Sequence, residues 1–383
     1  MKSRVQSLEF YITERMINQM FYKRLTMTVI LGLALAAGGC RTGHRSASDG
    51  KVKFQRFFSW GCPYNEKVAA RYAEAGVTDI LVNNRKQYDL AVKYGMKPYW
   101  KCFTPAGPHP QVMTPEETKY HDYIKGKDLD SKLPRAERMK ILHQRRIEKQ
   151  HRYGGESVVD TDVISSDIAC FISDEGLALS REKLDKMMAD APDGVAGMFL
   201  DFLGYMNHRG CYCEKCLAKY RKYLAERKLK DTPENRTVFY REKLVDYYNK
   251  VIDYIKSKHP NYKIVVHVYP DFREDHLYGN RTKADYCGQT VSWYFKFDER
   301  KIREYTQFVV KHAKDHFSNA EGLPFIGLST DKNHSLGYKT PAEVEHDLRT
   351  ILKAGGRTVM VCNGHAIIEP GYFEVFRKYC GRK

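Results

Sequence analysis

The sequence predicts an α/β protein whose fold is a (β/α)8 TIM barrel with a long insertion after strand 3. Short apolar runs alternate with helical patterns from residue 51 onward, and glycines such as Gly76 and Gly95 follow the helices. The alternation yields eight strands, which is the number that this barrel requires. A doubly wound open sheet is the alternative, but no G-x-G-x-x-G sequence follows any strand and no P-loop is present.

Three βα units are predicted before residue 104. Each strand is a short aromatic or apolar run, and each of the first two helices ends at a glycine. The predicted strands cover residues 54–60, 78–84 and 97–103, and the helices cover residues 64–75 and 87–94.

Residues 104–167 interrupt this alternation. They are polar, charged and punctuated by proline, with a basic helix predicted over residues 135–152. A long insertion after a barrel strand commonly forms part of the active-site rim. The alternation resumes with a helix over residues 180–189, for which Ser180 is the predicted N-cap.

Five more strands complete the predicted barrel. Thr340 followed by Pro341 indicates a helix start, and Gly355 indicates where that helix ends. The strands cover residues 197–204, 263–270, 289–295, 324–331 and 358–363, and the helices cover residues 214–228, 237–259, 299–317, 342–354 and 371–379.

Residues 1–39 predict a lipoprotein signal peptide. Lys23 and Arg24 precede an apolar run that is shorter than the about 20 residues of a membrane-spanning helix. Small residues and Cys40 follow, which resembles a bacterial lipobox with Cys40 as the lipidated residue. An ordinary secretory signal or an uncleaved anchor is the alternative. We expect residues 40–50 to be a tether, residues 51–383 to be the barrel, and the protein to be held on the periplasmic face or cell surface of a bacterial membrane.

The chain is strongly basic, with a net charge of +17, of which residues 1–39 carry +3. Such a field favours anionic partners. For an exported protein we exclude nucleic acid, and no protein partner is evident. We favour the interpretation that this positive charge comes from Lys and Arg residues that keep helix faces solvated. The weaker hypothesis is that the charge serves to bind an anionic glycan substrate.

Polar and aromatic residues stand at the predicted carboxyl ends of the strands, where this fold places its chemistry. Aromatic faces stack on sugar rings, whereas amides and carboxylates bond hydroxyl groups, so these residues predict a carbohydrate substrate. The predicted substrate-binding residues are Trp60, Asn83, Tyr205, His267, Tyr269, Asp271, Trp293, Asp298 and Asn363.

Cleavage of a glycosidic bond requires two carboxyl groups that flank it. Asp201 is the best candidate, because it follows a strand made of Met, Phe and Leu and needs solvent or a hydrogen bond there. Asp331 is the predicted partner, since strands four and seven face each other across a barrel mouth. A structural Asp201 bonded to a loop amide is the alternative. Asp271, Asp298 and Glu369 compete with Asp331, and for each of these residues a helix N-cap or loop role is the alternative.

Three cysteines follow Asp201 in C-x-C-x-x-C spacing: Cys211, Cys213 and Cys216. They are too close in sequence for ordinary disulfides but can converge on one metal ion. Four thiolates around Zn²⁺ make a closed structural site, so we predict a zinc brace for this loop and not a catalytic metal. Because the chain is expected to be exported, a disulfide is the alternative.

A strand that ends in Leu200-Asp201, followed by the C-x-C-x-x-C loop, resembles family-42 β-galactosidases and the hypothetical glycosyl hydrolases of bacterial lipoproteins. The resemblance covers residues 168–220 and implies that Cys170 is the fourth zinc ligand, with His208 or a disulfide from Cys170 as alternatives. The chain departs from that family, whose acid/base is a Glu after Asn on strand four and whose strand-seven nucleophile is also a Glu. An Asp at the end of strand four looks more like the nucleophile of α-glycosidase barrels.

Two functions therefore follow from the sequence. The first is a surface-anchored glycoside hydrolase that cleaves a poly- or oligosaccharide with a pair of mouth carboxylates. The second is a non-catalytic glycan-binding lipoprotein on a degenerate TIM barrel.

Overall fold

The structure is a computed structural model that describes residues 53–103, 119, 122–123, 126–152, 170–201, 213–268, 278–293, 297–332, 334 and 337–381. Lys51–Lys383 forms one compact unit. Among the described residues, no helix has the length and apolar character needed to cross a membrane.

Eight parallel strands close into a barrel in sequence order. The first strand pairs with the eighth through Arg56↔Thr358 and Ser59↔Val361, which closes the sheet on itself. The (β/α)8 prediction is therefore confirmed, and the open sheet is wrong. The strands are β1 (Arg56–Ser59), β2 (Asp79–Val82), β3 (Lys97–Phe103), β4 (Gly197–Leu200), β5 (Lys263–Val268), β6 (Tyr286–Ser292), β7 (Glu321–Gly327) and β8 (Thr358–Cys362).

Helices lie between the strands, and local sequence signals place the end of the first helix and the start of the helix at Pro341. Gly76 ends the first helix in the left-handed conformation, with φ of 97°. A capping box between Thr340 and Glu343 begins the helix at Pro341, as predicted. The helices are α1 (Glu66–Ala75), α2 (Arg85–Lys93), α3 (Arg135–Arg152), α4 (Asp174–Ala189), α5 (Glu214–Arg227), α6 (Pro233–Lys258), α7 (Glu299–His312), α8 (Pro341–Lys353) and α9 (Tyr372–Cys380).

The prediction of Ser180 as a helix N-cap is wrong. Helix α4 begins six residues earlier, at Asp174, and its N-cap is Ser173, whose hydroxyl accepts the Gly176 N–H. Ser180 lies inside the helix, where its hydroxyl donates to the Gly176 carbonyl and lies 2.6 Å from the Tyr247 hydroxyl. The sequence did not predict this first turn because it contains Gly176, and glycine disfavours helices. The structure requires glycine there, since a Cβ would lie 2.0 Å from the Cys170 carbonyl oxygen.

Strands β6 and β7 each begin three residues earlier than predicted. Gly288 and Gly322 lie in these early segments, and in a single sequence such residues indicate turns. Pairing with neighbouring strands on both sides overrides that local preference.

Buried ion pairs lie at the amino ends of the strands, opposite the mouth. The Arg56 guanidinium is 2.5 Å from the Asp79 carboxylate. The ammonium groups of Lys256 and Lys263 are 2.8 and 2.9 Å from Asp285, whose carboxylate also accepts the Ile264 N–H. These contacts compensate the burial of the two carboxylates.

Candidate functional site

Asp201 is positioned by the residues at the carboxyl end of β4. Its N–H donates to the Phe103 carbonyl (3.0 Å), which extends the pairing of β3 with β4 by one residue. Its main-chain carbonyl accepts a hydrogen bond from the Tyr248 hydroxyl. The strand before it is fully buried, whereas 16% of the Asp201 side chain is exposed. The carboxylate therefore lies where a buried strand reaches solvent.

His267 lies next to Asp201, near the end of β5. Its Nδ1 is 3.4 Å from Asp201 Oδ1, and its Nε2 is 3.0 Å from Thr290 Oγ1 on β6. The residue is only 2% exposed. Burial lowers the pKa of His267, and the neighbouring Asp201 carboxylate opposes that shift.

Aromatic rings surround this pair. The His267 ring stacks on the Phe325 ring with centroids 3.7 Å apart. The Trp293 ring stacks on both, with its centroid 5.9 Å from that of Phe325 and 6.1 Å from that of His267. Trp60, directly after β1, is half-buried and lies 5.1 Å from the Phe199 ring and 5.6 Å from His267. The aromatic cluster thus joins residues on or directly after β1, β4, β5, β6 and β7, and His267 belongs to it.

Gly327 allows Trp293 to take this position. A Cβ at residue 327 would lie 2.3 Å from the indole ring, closer than non-bonded carbon atoms approach. A side chain at the end of β7 would therefore displace the Trp293 ring from Phe325.

Cys102 on β3 is a thiol whose titration responds to the Asp201 carboxylate. Burial, together with the negative charge of Asp201, raises the pKa of Cys102 well above its usual range. The Lys183 ammonium of α4 faces this thiol, and burial lowers the pKa of that ammonium. Cys102 is therefore a neutral group beside the carboxylate.

The other predicted mouth residues that the structure describes make hydrogen bonds to neighbouring residues. Asp331 lies on an exposed turn after β7, and its N–H donates to the Ser329 hydroxyl. Asp298 is the N-cap of α7 and accepts the Lys301 N–H at 2.7 Å, which is the alternative role considered for it. Asn83 donates to Cys62 Sγ (3.0 Å), and Asn363 accepts the His365 N–H. Substrate contact by these side chains stays a prediction.

Five predicted residues lie outside the described part of the chain. They are Cys40, Tyr205, Cys211, Tyr269 and Asp271.

The described cysteines of the predicted metal site converge. Cys170, Cys213 and Cys216 have Sγ atoms that all lie within 4.8 Å of one another, so the cluster could bind a metal. The Sγ atoms of Cys170 and Cys216 are 3.2 Å apart, beyond the about 2.05 Å of a disulfide. Spacing of this order suits thiolates that converge on one ion.

Further contacts join the two segments that carry these cysteines. Cys213 is the N-cap residue of α5, and Cys170 immediately precedes the first turns before α4. Lys219 of α5 donates to the Ile172 carbonyl (2.8 Å), and Lys215 pairs with Glu175 (2.6 Å). The cysteine cluster therefore lies at a junction that is also held by polar contacts.

Sequence reasoning missed Thr290, Phe199 and Phe325 as neighbours of the pair. Thr290 lies in the Q-T-V-S segment of β6. A polar residue inside a buried parallel strand is unusual, so it could have indicated a residue of the site. The two phenylalanines had no such signal, because aromatic residues in core strands are common.

Solved structures of glycoside hydrolases have a similar fold. The glycoside hydrolase domain of PgaB (BpsB) from Bordetella bronchiseptica matches 87% of this chain and 99% of its own, with a TM-score of 0.52 and 9% identity. The β-galactosidase from Bacillus circulans sp. alkalophilus matches 86% of this chain and 56% of its own, with a TM-score of 0.50 and 10% identity. No family model and no curated protein matches the sequence. At such identities the likeness shows a shared TIM-barrel fold.

Proposed function

We propose that this protein is a glycoside hydrolase in which Asp201 is one of the two catalytic carboxyl groups. The observation that carries the proposal is the Asp201–His267 pair, which lies at the carboxyl end of β4 and β5 inside the aromatic cluster. Carbohydrate-cleaving enzymes of this fold place their reacting groups at this end of the barrel. The glycoside hydrolase neighbours support the same class by analogy of fold.

The composition of the mouth suits a sugar. Trp60 is half-buried, so part of its indole ring is accessible and can stack on a sugar ring. Asp201 is the partly exposed carboxyl group at the end of β4 that can contact a glycosidic oxygen. Asp331 after β7 is the proposed second carboxyl group, because β7 lies three strands from β4 around the barrel.

The test is hydrolysis of neutral and anionic polysaccharides by the purified protein and by two variants. We expect Asp201→Asn to lose at least about 10²-fold in rate, since it removes an acid–base group. Asp89→Asn is the matched control, because Asp89 is an exposed residue of α2 that pairs only with Arg85 among the contacts described. Equal rates for Asp201→Asn and the wild type would remove Asp201 from the mechanism.

The binding function is the other outcome of this test. Glycan binding by the wild type without any hydrolysis would support the glycan-binding lipoprotein and contradict the enzyme. In that case Asp201→Asn would change affinity alone.

We further propose that Cys40 carries a lipid and that the cysteine cluster holds structural zinc. The lipobox-like sequence supports the first statement, and the converging thiols support the second. Cys40→Ser should release the protein from the membrane fraction of the producing cell. Retention of that variant on the membrane would exclude lipid as the anchor.

A further inference from the structure

The segment between β1 and α1 presents an exposed aromatic ring that has no role in the proposed function. Tyr64 directly precedes Asn65, the N-cap of α1, and is 50% exposed. Segments that follow the strands of a (β/α)8 barrel form its mouth. Trp60, whose half-buried ring contacts His267, lies four residues earlier on the same segment. Tyr64 therefore belongs to the rim of the mouth.

His365, on the segment after β8, lies beside the Tyr64 ring. The two ring centroids are 5.8 Å apart, and the ring planes are inclined by 54°. His365 Nδ1 is 3.4 Å from the hydroxyl group of Tyr72, a fully buried residue of α1. The His365 N–H donates to Asn363 Oδ1 at 3.1 Å. Both rings belong to exposed residues, so a ligand can reach them, whereas the buried contact holds the imidazole in place.

Two glycines allow the segments after β1 and β8 to approach each other. A Cβ at Gly61 would lie 2.9 Å from Gly364 Cα, and a Cβ at Gly364 would lie 2.6 Å from the Gly61 nitrogen. The Gly364 N–H donates to the Trp60 carbonyl at 3.2 Å. Larger residues would separate the two segments, so the backbone fixes the distance between Tyr64 and His365.

Amide side chains lie beside the two rings. Asn83, after β2, donates to Cys62 Sγ at 3.0 Å, which connects the segment after β1 to the segment after β2. Asn83 and Asn363 are both exposed. The neighbouring strands β8, β1 and β2 therefore contribute contacting segments to one surface. An aromatic ring offers an apolar face to the C–H groups of a sugar, and amides donate to and accept from its hydroxyl groups.

We propose that the rim of the mouth contains an outer sugar subsite, formed by Tyr64, His365, Asn83 and Asn363. One pyranose unit of a glycan chain stacks its C–H face on the Tyr64 ring, and the two amides bond its hydroxyl groups. The proposal rests on the proposed function for its class of ligand, since the unit bound here belongs to the chain that is cleaved near Asp201. The substrate is accordingly an oligo- or polysaccharide that extends over the segments after β8, β1 and β2, and not a short glycoside.

An exposed aromatic ring alone does not make a binding site, because many apolar groups remain on protein surfaces. Phe308 gives a direct comparison, since it is 43% exposed and its ring centroid lies 4.2 Å from that of His312. That pair lies within helix α7, whereas Tyr64 and His365 lie on segments that follow strands. The position at the mouth and the close approach of the two glycines therefore distinguish the Tyr64–His365 pair.

The first test measures binding without cleavage, in the Asp201→Asn background of the full chain. Cellohexaose, chitohexaose, mannohexaose and hexagalacturonate are titrated by calorimetry. Adding Tyr64→Ala should weaken the binding of each hexasaccharide that binds by about 3–10-fold, which corresponds to one stacked pair of rings. Tyr64→Phe should retain the affinity because it keeps the ring, and Phe308→Ala, the matched control, should leave the affinity unchanged.

The length of the glycan provides the second measurement. For a sugar that binds, the affinities of the disaccharide through to the hexasaccharide are compared. In the presence of Tyr64, affinity should rise once the chain is long enough to reach this ring. That rise should be missing in Tyr64→Ala, whereas the affinity for the disaccharide should be the same with and without the ring.

Three results would overturn the outer subsite. Unchanged affinity for the hexasaccharide in a folded Tyr64→Ala protein would show that the ring contacts no sugar. A loss that is equal for the disaccharide and the hexasaccharide would make Tyr64 a structural residue of the rim. Absence of binding for all four hexasaccharides would remove glycans as the class of ligand, and with them both proposals.

Hydrolysis assays separate the failure of this subsite from the failure of the proposed function. If both proposals hold, Tyr64→Ala alone should raise KM for the hexasaccharide by about 3–10-fold and leave KM for the disaccharide unchanged. Cleavage of the hexasaccharide with the same KM in both proteins would support the hydrolase and contradict the outer subsite. Binding that depends on Tyr64 without any cleavage would support the subsite and contradict the enzyme.

Discussion

At the scale of single residues, the environment of each buried group decides its charge. His267 and Asp285 are both buried, yet they differ in what surrounds them. The neighbouring Asp201 carboxylate only partly opposes the effect of burial on the pKa of His267. Burial alone would raise the pKa of Asp285, but hydrogen bonds from Lys256, from the Ile264 N–H and from Lys263 outweigh it and lower that pKa. Asp285 is therefore an ionised residue that stabilises the fold.

Removing the Asp285 carboxylate should cost stability in a pH-dependent way. Because the pKa of Asp285 is lower in the folded than in the unfolded chain, its contribution is complete above about pH 4 and is lost as the pH falls through the folded value. Asp285→Ala should lower the free energy of unfolding by about 1–3 kcal/mol at neutral pH, since it leaves the buried Ile264 N–H and the ammonium groups of Lys256 and Lys263 without their shared acceptor. Urea denaturation at neutral and acidic pH measures the difference.

The control for this experiment is Asp253→Ala. Asp253 pairs with Lys283 at 2.7 Å, but both side chains are half exposed. Such a pair contributes about 0–1 kcal/mol. Equal losses for the two variants at neutral pH, or a loss for Asp285→Ala that grows in acid, would contradict the linkage argument.

At the scale of elements, the start of α5 brings two cysteines of the cluster to the segment that precedes α4. Cys213 and Cys216 occupy the N-cap and first turn of α5, and Cys170 lies before α4. A helix N-terminus has N–H groups without helical partners, which stabilise nearby thiolates. A metal held by these cysteines would fix the two helices to each other at the end of the insertion.

Loss of one thiol should therefore release the metal and loosen this junction. We expect about one metal ion per purified wild-type chain, little metal in Cys216→Ser, and a lower Tm for that variant. Cys62→Ser is the control, because Cys62 contacts Asn83 and belongs to a different part of the mouth. Metal analysis with thermal unfolding before and after a chelator measures both effects, and unchanged metal content in Cys216→Ser would exclude this cluster as the site.

At the scale of the whole molecule, positive charge extends over the chain, and within the insertion, which is neutral as a whole, it is concentrated in one helix. Helix α3 has seven Arg or Lys residues and two Glu residues. It belongs to the segment that follows β3, at whose carboxyl end the mouth begins. This distribution would attract an anionic glycan, although solvation of a helix surface explains the same residues.

Salt distinguishes these two explanations. If the charge serves substrate capture, binding of polygalacturonate should weaken strongly between about 0.05 and about 0.5 M salt, because screening shortens the range of the field. Binding of a neutral polysaccharide should change little over the same range. The two affinities are measured by calorimetry, and an identical salt response for both glycans would favour the solvation explanation.

The sequence predicted the barrel because its evidence is local and repeated. Eight apolar runs, the glycine after α1 and the Thr340 capping box each indicate one boundary, and their order permits few folds. Errors occurred where tertiary contacts override local preference. Ser180 became an interior helix residue, and β6 and β7 begin inside segments that contain turn-forming residues.

The sequence by itself determined the class of fold, the position of Asp201 at the end of a strand and the three converging thiols that are described. Only the tertiary structure decided that His267 lies beside Asp201 and that Thr290 lies beside His267, since these two residues are 66 and 89 positions from Asp201 in the chain. Strand alternation is encoded within a few residues, whereas a hydrogen bond between strands depends on which atoms the closed barrel brings within 3 to 3.5 Å. The arrangement of Asp201, His267 and Thr290 therefore belongs to the folded barrel.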